Sequence, residues 1–224
     1  MPAKTETRNY AAKLELRDIT KEGGALRQIV GRPAVFNVRS EDLGGFVEVI
    51  EPGAFTKTLK EYNAKSLWNH NPDMVLGSVR AGTMSIAEDA DGLVFSVDPP
   101  DTTWARDAMT SLDRGDVDQM SFGFQSIRES WEYDQAADMP IRHLHEVRLL
   151  EVSPVAFPAY PQTECSLRSV FGTESKEEIR AKIEALRNPP APAEHHPEGA
   201  KETVKPDYSY QERRLKLSGI GGES

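Results

Sequence analysis

The chain has 224 residues, and at roughly 150 residues per domain that length suits one domain with an appendage, not a large multidomain machine. Lys plus Arg number 27 against 36 for Asp plus Glu, giving a net charge of -9 with no segregated basic patch, which argues against nucleic acid as a partner. A single cysteine, Cys165, excludes an internal disulfide and a cysteine-rich zinc site and fits a reducing compartment.

The N-terminal stretch MPAKTETRNYAAKLELRD holds no apolar run of signal-peptide length, and nowhere do ~18 apolar residues follow one another to cross a bilayer. A soluble cytoplasmic protein with no membrane partner is therefore expected. Leu14 and Leu16 alternate with polar neighbours and open a series of short predicted strands, continued over Leu26 to Phe36 and Val47 to Ile50. A helix is predicted from Gly53 to Tyr62, with Phe55, Leu59 and Tyr62 on one face. A strand then ends at Leu67 and Trp68, and Asn71-Pro72 follows as a stop because proline lacks an N–H. Met84 to Ile86 and the run Leu93, Phe95, Val97 flank the acidic turn Asp89-Ala90-Asp91-Gly92, a hairpin signature. A second helix starts near Asp101 and Thr102, buries Trp104, Ala108 and Leu112, and stops at Gly115. A second hairpin joins Ser121–Tyr133 to Ile141–Val152 through DQAADMP. Some eight closely spaced strands and two helices predict a mainly β fold, a closed or nearly closed barrel with helices packed outside.

Hydrophobic residues make up 38% of the chain, below the ~45–50% of an average globular protein, and the deficit has an address. Residues 1–171 hold 18 basic and 26 acidic side chains, whereas 172–224 hold 9 and 10 and contain no Trp, Phe, Met or Cys. The Pro-rich NPPAPAEHHPEGA, residues 188–200, cannot bury enough apolar area to offset its ordering entropy, so 172–224 reads as a largely disordered tail. Within it Ser175 and Glu178 form a capping-box pair, and Ile179, Ile183 and Leu186 line one face of a short helix over about 175–187. That helix docks either on its own domain or on a partner.

Chemistry concentrates in three places. His70, in SLWNHNP, stands at a strand end beside a turn, where a side chain is rigidly based yet open. Ser121, in QMSFGF, becomes a nucleophile only if a base reaches it; otherwise it is an ordinary strand serine. The strand IRHLHEVRLLEVS carries His143, His145, Glu146 and Glu151. With period two and no bulge, His143, His145, Val147, Leu149 and Glu151 share one face. Three readings compete: solvated strand charges, a metal site built from His143, His145 and Glu151 with His70 as a further ligand, or an acid that orients His70 to activate Ser121. The chain order histidine, serine, acid differs from that of the chymotrypsin-like and α/β-hydrolase enzymes.

RPAVFNVRSEDLGGFVEVIEPGAF from Arg32, LWNHNPDMVLG from Leu67, GLVFSVDPPDT from Gly92, MSFGF from Met120 and LLEVSPVAFPAYP from Leu149 resemble, in order, the prohead serine proteases of tailed phages. The resemblance runs from Arg8 to Thr163. It implies a prohead protease domain over 1–171, with a fold related to the herpesvirus assemblin proteases: an antiparallel β-barrel surrounded by helices. It also implies a serine endopeptidase that cleaves scaffold and major capsid protein precursors, and itself, inside the assembling prohead in the host bacterial cytoplasm, with self-association there. No cofactor or metal is implied.

Carried over residue by residue, the WNH histidine is His70 and the MSFGF serine is Ser121. For the third member Glu146 ranks first, because its separation of 25 residues from Ser121 matches the herpesvirus relatives. Glu151, in the LLEVS segment, ranks second, and His145 is the herpesvirus-like choice. No residue is assigned to the oxyanion hole, although Arg148 is a weak candidate for holding a water there. Two other readings stand beside the protease: a non-catalytic internal scaffold or assembly module of the same fold, and a metalloenzyme using His143, His145 and Glu151. The tail is read as a targeting or scaffold-like extension, partly removed by self-cleavage.

Overall fold

The computed structural model describes residues 5–10, 14–21, 24–157 and 176–189. Alternating apolar positions build two sheets over this length. β2 (Leu14–Lys21), β3 (Gly24–Val35), β7 (Met84–Glu88) and β8 (Gly92–Val97) form a four-stranded antiparallel sheet in the order β2-β3-β8-β7. The second sheet runs β1 (Glu6–Tyr10), β9 (Gln119–Asp134), β10 (Met139–Val155), β5 (Lys65–Trp68) and β6 (Asn71–Ser78), with β4 (Val47–Ile50) also paired to β10.

The inner faces of the two sheets share one core. Ile29, Leu93, Phe95 and Val97 from the first meet Met120, Phe122, Phe124, Leu144, Val147, Leu149 and Val152 from the second. Phe55 joins them, its ring edge-on to Phe122 at 5.7 Å. A mainly β fold with few helices is thus present. The described strands, however, form two separately hydrogen-bonded sheets rather than one closed barrel. Nor is the pairing purely antiparallel, because β4 and β5 both run parallel to β10.

β10 decides the layout of the polar side chains. Ile141–Leu144 pair with β4 and Glu151–Val152 with β5, while β9 runs antiparallel along nearly the whole length. Bulges at Leu144/Glu146/Val147 and at Leu149/Glu151 separate the two halves. Each adds a residue and flips the phase of the alternation. Leu144 and Val147 therefore both face the core, as do Leu149 and Val152, three residues apart in each case. The single face expected for His143, His145, Val147, Leu149 and Glu151 does not exist: Val147 and Leu149 are core residues, and Glu151 points the other way.

The helices among the described residues are α1 (Thr56–Glu61), α2 (Thr103–Asp113) and α3 (Lys176–Arg187). α1 is shorter than its apolar spacing suggests, and Glu88 of β7 caps its start from outside, accepting from the Phe55 N–H at 2.8 Å and the Thr56 hydroxyl at 2.5 Å. In α2 the Thr102 hydroxyl accepts from the Ala105 N–H, and Ala105 and Ala108 are buried. Gly92 closes the β7–β8 turn, where a Cβ would lie 2.1 Å from the Ala34 carbonyl oxygen. α3 meets the tip of the β9–β10 hairpin: Gln135 donates to the Arg187 carbonyl at 2.7 Å, and Arg187 pairs with Asp138 at 2.9 Å. The expected boundary at 171/172, Ser175, Cys165 and the Pro-rich segment from 190 onward lie outside the described residues.

Candidate active site

β5 and β6 are joined by two residues, Asn69 and His70, with Trp68 and Asn71 as the closing pair. Both loop residues have positive φ, 50° and 59°, as a type I′ turn requires. Asn71-Pro72 therefore opens an edge strand after a reversal. For a histidine this backbone region is uncommon and persists only where the surroundings hold it. Here they do. The Asn69 N–H donates to the Pro154 carbonyl at 3.0 Å, the Asn69 side chain accepts from the Ala156 N–H at 2.9 Å, and the His70 N–H donates to the Ser153 hydroxyl at 3.3 Å. The end of β10 thus fixes the turn at three points.

From that turn the imidazole reaches β10. His70 Nδ1 lies 2.7 Å from Glu151 Oε1, a partly buried contact, and the Ser153 hydroxyl donates to the other carboxylate oxygen, Glu151 Oε2. Gly123 makes room for this carboxylate, since a Cβ at that position would stand 2.6 Å from Oε1. Among the described residues Nε2 of His70 has no hydrogen-bond partner, which leaves one ring nitrogen available to exchange a proton.

Ser121 stands on the same side of the sheet. Met120, Phe122 and Phe124 point into the core, so Ser121 and Gly123 face the other way, and their cross-strand partners are Ser153 and Glu151. Ser121 is therefore the register partner of the residue that tethers His70. It is fully buried, and its hydroxyl donates to the Arg8 carbonyl of β1 at 3.0 Å. No hydrogen bond joins Ser121 to His70. The hydroxyl would have to leave Arg8 by a rotamer change to meet Nε2.

The remaining sequence candidates lie elsewhere. Glu146 pairs with Lys57 at 3.0 Å on the surface, and His145 Nε2 meets the Ser130 hydroxyl at 2.7 Å. His143 Nδ1 meets Glu51 at 2.6 Å, while its Nε2 lies 3.2 Å from Glu132 without forming a hydrogen bond. His143, His145 and Glu151 thus have three different partners. Among the described residues no group of three His, Cys, Asp or Glu side chains is placed to hold a metal ion. Arg148 lies over the Tyr62 ring at 4.6 Å and donates to Gln125 at 3.2 Å.

Two features escape a reading of the sequence. One is Ser153, although its place two residues after Glu151 puts it on the same strand face. The other is a buried ionic cluster at the far half of the hairpin. Arg8 bonds Glu6 at 2.7 Å and Glu48 at 2.9 Å, and Arg142 bonds Glu6 at 2.7 Å, Glu48 at 3.0 Å and Glu129. Burial alone would lower the Arg142 pKa, but Glu6 and Glu48 outweigh it and hold the guanidinium above its ordinary value.

Comparison with known proteins adds three findings. The solved structure of the bacteriophage T4 capsid assembly protease, gp21, aligns with 68% of this chain and 97% of its own at 11% identity, with a TM-score of 0.48. No curated protein matches the chain. The model of the family described as caudovirus prohead serine protease matches residues 12–177, a span that takes in every strand from β2 to β10, and the chain belongs to that family.

Proposed function

We propose that this prohead protease is a serine endopeptidase in which Ser121 is the nucleophile, His70 the base and Glu151 the third member. The observation that carries the proposal is the 2.7 Å contact of His70 Nδ1 with Glu151, made beside the register partner of Ser121. Glu146, favoured on spacing, gives way to Glu151 because its carboxylate is engaged by Lys57. His70 Nε2 takes the Ser121 proton and the Ser121 oxygen attacks the scissile carbonyl carbon. His70 then returns that proton to the leaving amine, and water repeats the sequence to free the acyl group. Glu151 keeps the second proton on Nδ1 and stabilises the imidazolium.

The substrates are the scaffold and major capsid protein precursors and the chain itself, cut inside the prohead within the host cytoplasm, where copies of the protease associate. The membership of the family supports that assignment. Co-expression with the capsid precursor and intact-mass analysis tests it. Wild type should yield processed fragments and Ser121→Ala an uncut precursor, whereas continued cleavage by Ser121→Ala removes the nucleophile from the proposal. Full burial of Ser121 and its bond to Arg8 favour the second reading, a non-catalytic assembly module. In that case wild type leaves the precursor uncut as well, and heads still assemble around Ser121→Ala.

A further inference from the structure

We propose that Ser153 is a positioning residue that locks the histidine and the acid of this site into one geometry; the inference rests on His70, Ser121 and Glu151 being the reacting set. Among the described residues Ser153 is the one side chain hydrogen-bonded to both His70 and Glu151. Its hydroxyl uses its single donor on Glu151 Oε2 and accepts from the His70 N–H, so one atom ties the acid to the backbone of the base. The residue is fully buried and lies in register with Ser121, so the tether sits directly across the strand pair from the nucleophile.

The chemistry of the two partners explains why a tether is needed. A glutamate side chain has one more rotatable bond than the aspartate of the best-known triads, so its carboxylate sweeps a wider volume unless both oxygens are held. Oε1 is held by His70 and Oε2 by Ser153, over a floor that Gly123 leaves open. His70 in turn occupies a left-handed backbone conformation that a histidine adopts only under constraint, and Ser153 supplies part of that constraint. The serine itself cannot serve as the nucleophile in this arrangement. It meets the main-chain N–H of His70 and the acid, whereas deprotonation requires the free Nε2.

Labelling of the full-length protein by a serine-directed fluorophosphonate tests this without a mapped cleavage site. The label should appear on Ser121 and be absent from Ser121→Ala. Ser153→Ala should slow the maximal labelling rate by about tenfold to a hundredfold while the probe's half-saturation concentration stays within about twofold. It should also abolish the downfield Nδ1–H proton resonance of His70. Ser153→Cys, close in volume but with a weak S–H donor, should fall between alanine and wild type and serves if the alanine variant does not fold. Ser66→Ala provides the control, since Ser66 is a buried serine of β5 facing Val152 whose hydroxyl has no partner. It should label at the wild-type rate. If Ser121 is labelled and both Ser153 variants react at the wild-type rate with the resonance intact, the positioning role is wrong. If no label reaches Ser121, the reading of the site itself fails instead.

Discussion

The two halves of the β9–β10 hairpin hold polar side chains in opposite ways. At the far half Arg8 and Arg142 are met by Glu6, Glu48 and Glu129, and each buried carboxylate receives bonds from both guanidinium groups. At the near half two side chains, His70 and Ser153, converge on the Glu151 carboxylate and leave a ring nitrogen of His70 over. Both clusters are costly to bury, and in both every carboxylate is hydrogen-bonded. The first closes on itself and can only hold strands together. The second is closed on one side and open on the other, which is the condition for passing a proton.

Breaking the open cluster should have the largest effect on reaction and little on folding. Glu151→Gln keeps the volume but removes the charge that orients and stabilises the imidazole. By analogy with the equivalent change in a well-studied triad, cleavage should fall by about 10³–10⁴-fold. The thermal midpoint should stay within a few degrees of wild type. The check is the processing rate of the co-expressed precursor together with a thermal melt, and a loss of both in parallel would put Glu151 in the same class as the far cluster.

Breaking the closed cluster should do the reverse. Arg142 is 2% exposed, and Arg142→Met leaves Glu6, Glu48 and Glu129 short of a cation, at a cost of about 3–5 kcal/mol in urea unfolding. Activity per folded molecule should be retained. The cost should also shrink in acid. For Glu129 burial works to raise the pKa, but the hydrogen bond and charge of Arg142 outweigh it and hold the group below its ordinary 4.5. Its stabilising contribution is complete above that value and is lost as pH falls through the depressed folded value. Wild type should therefore lose stability in that window faster than Arg142→Met.

The same contrast explains what the sequence reveals. The β7–β8 hairpin is legible because Leu93, Phe95 and Val97 alternate after an acidic turn ending in a glycine, all local signals. β1 is not, because its inward residues are Glu6 and Arg8, and charges read as solvent-facing until Glu48 and Arg142 are brought to them from 40 and more residues away. The bulges of β10 are equally hidden, since the run still alternates plausibly on paper. The first displaces Glu146 toward Lys57, and the second restores the phase so that Glu151 lies on the face of Ser121. Flanking segments single out His70 and Ser121 as candidates, whereas the order of preference between two glutamates five residues apart depends on phase shifts that only the paired strand exhibits.

That pair of glutamates gives the smallest expected effect and the sharpest comparison. Glu146 raises the pKa of the Lys57 ammonium chiefly through a hydrogen bond, on a surface where solvent screens the charges and two long side chains lose freedom to meet. Glu146→Gln should therefore leave the thermal midpoint within about 1 °C and the cleavage rate within about twofold of wild type. The measurement is informative because it is paired. Glu146 and Glu151 make the same chemical change on the same strand, so a large loss from one and none from the other isolates position from chemistry. A loss of cleavage from Glu146→Gln comparable to that from Glu151→Gln would mean that the working enzyme re-pairs His70 across the β10 bulges, and the third member would then be decided by movement of the strand and not by the contact seen at rest.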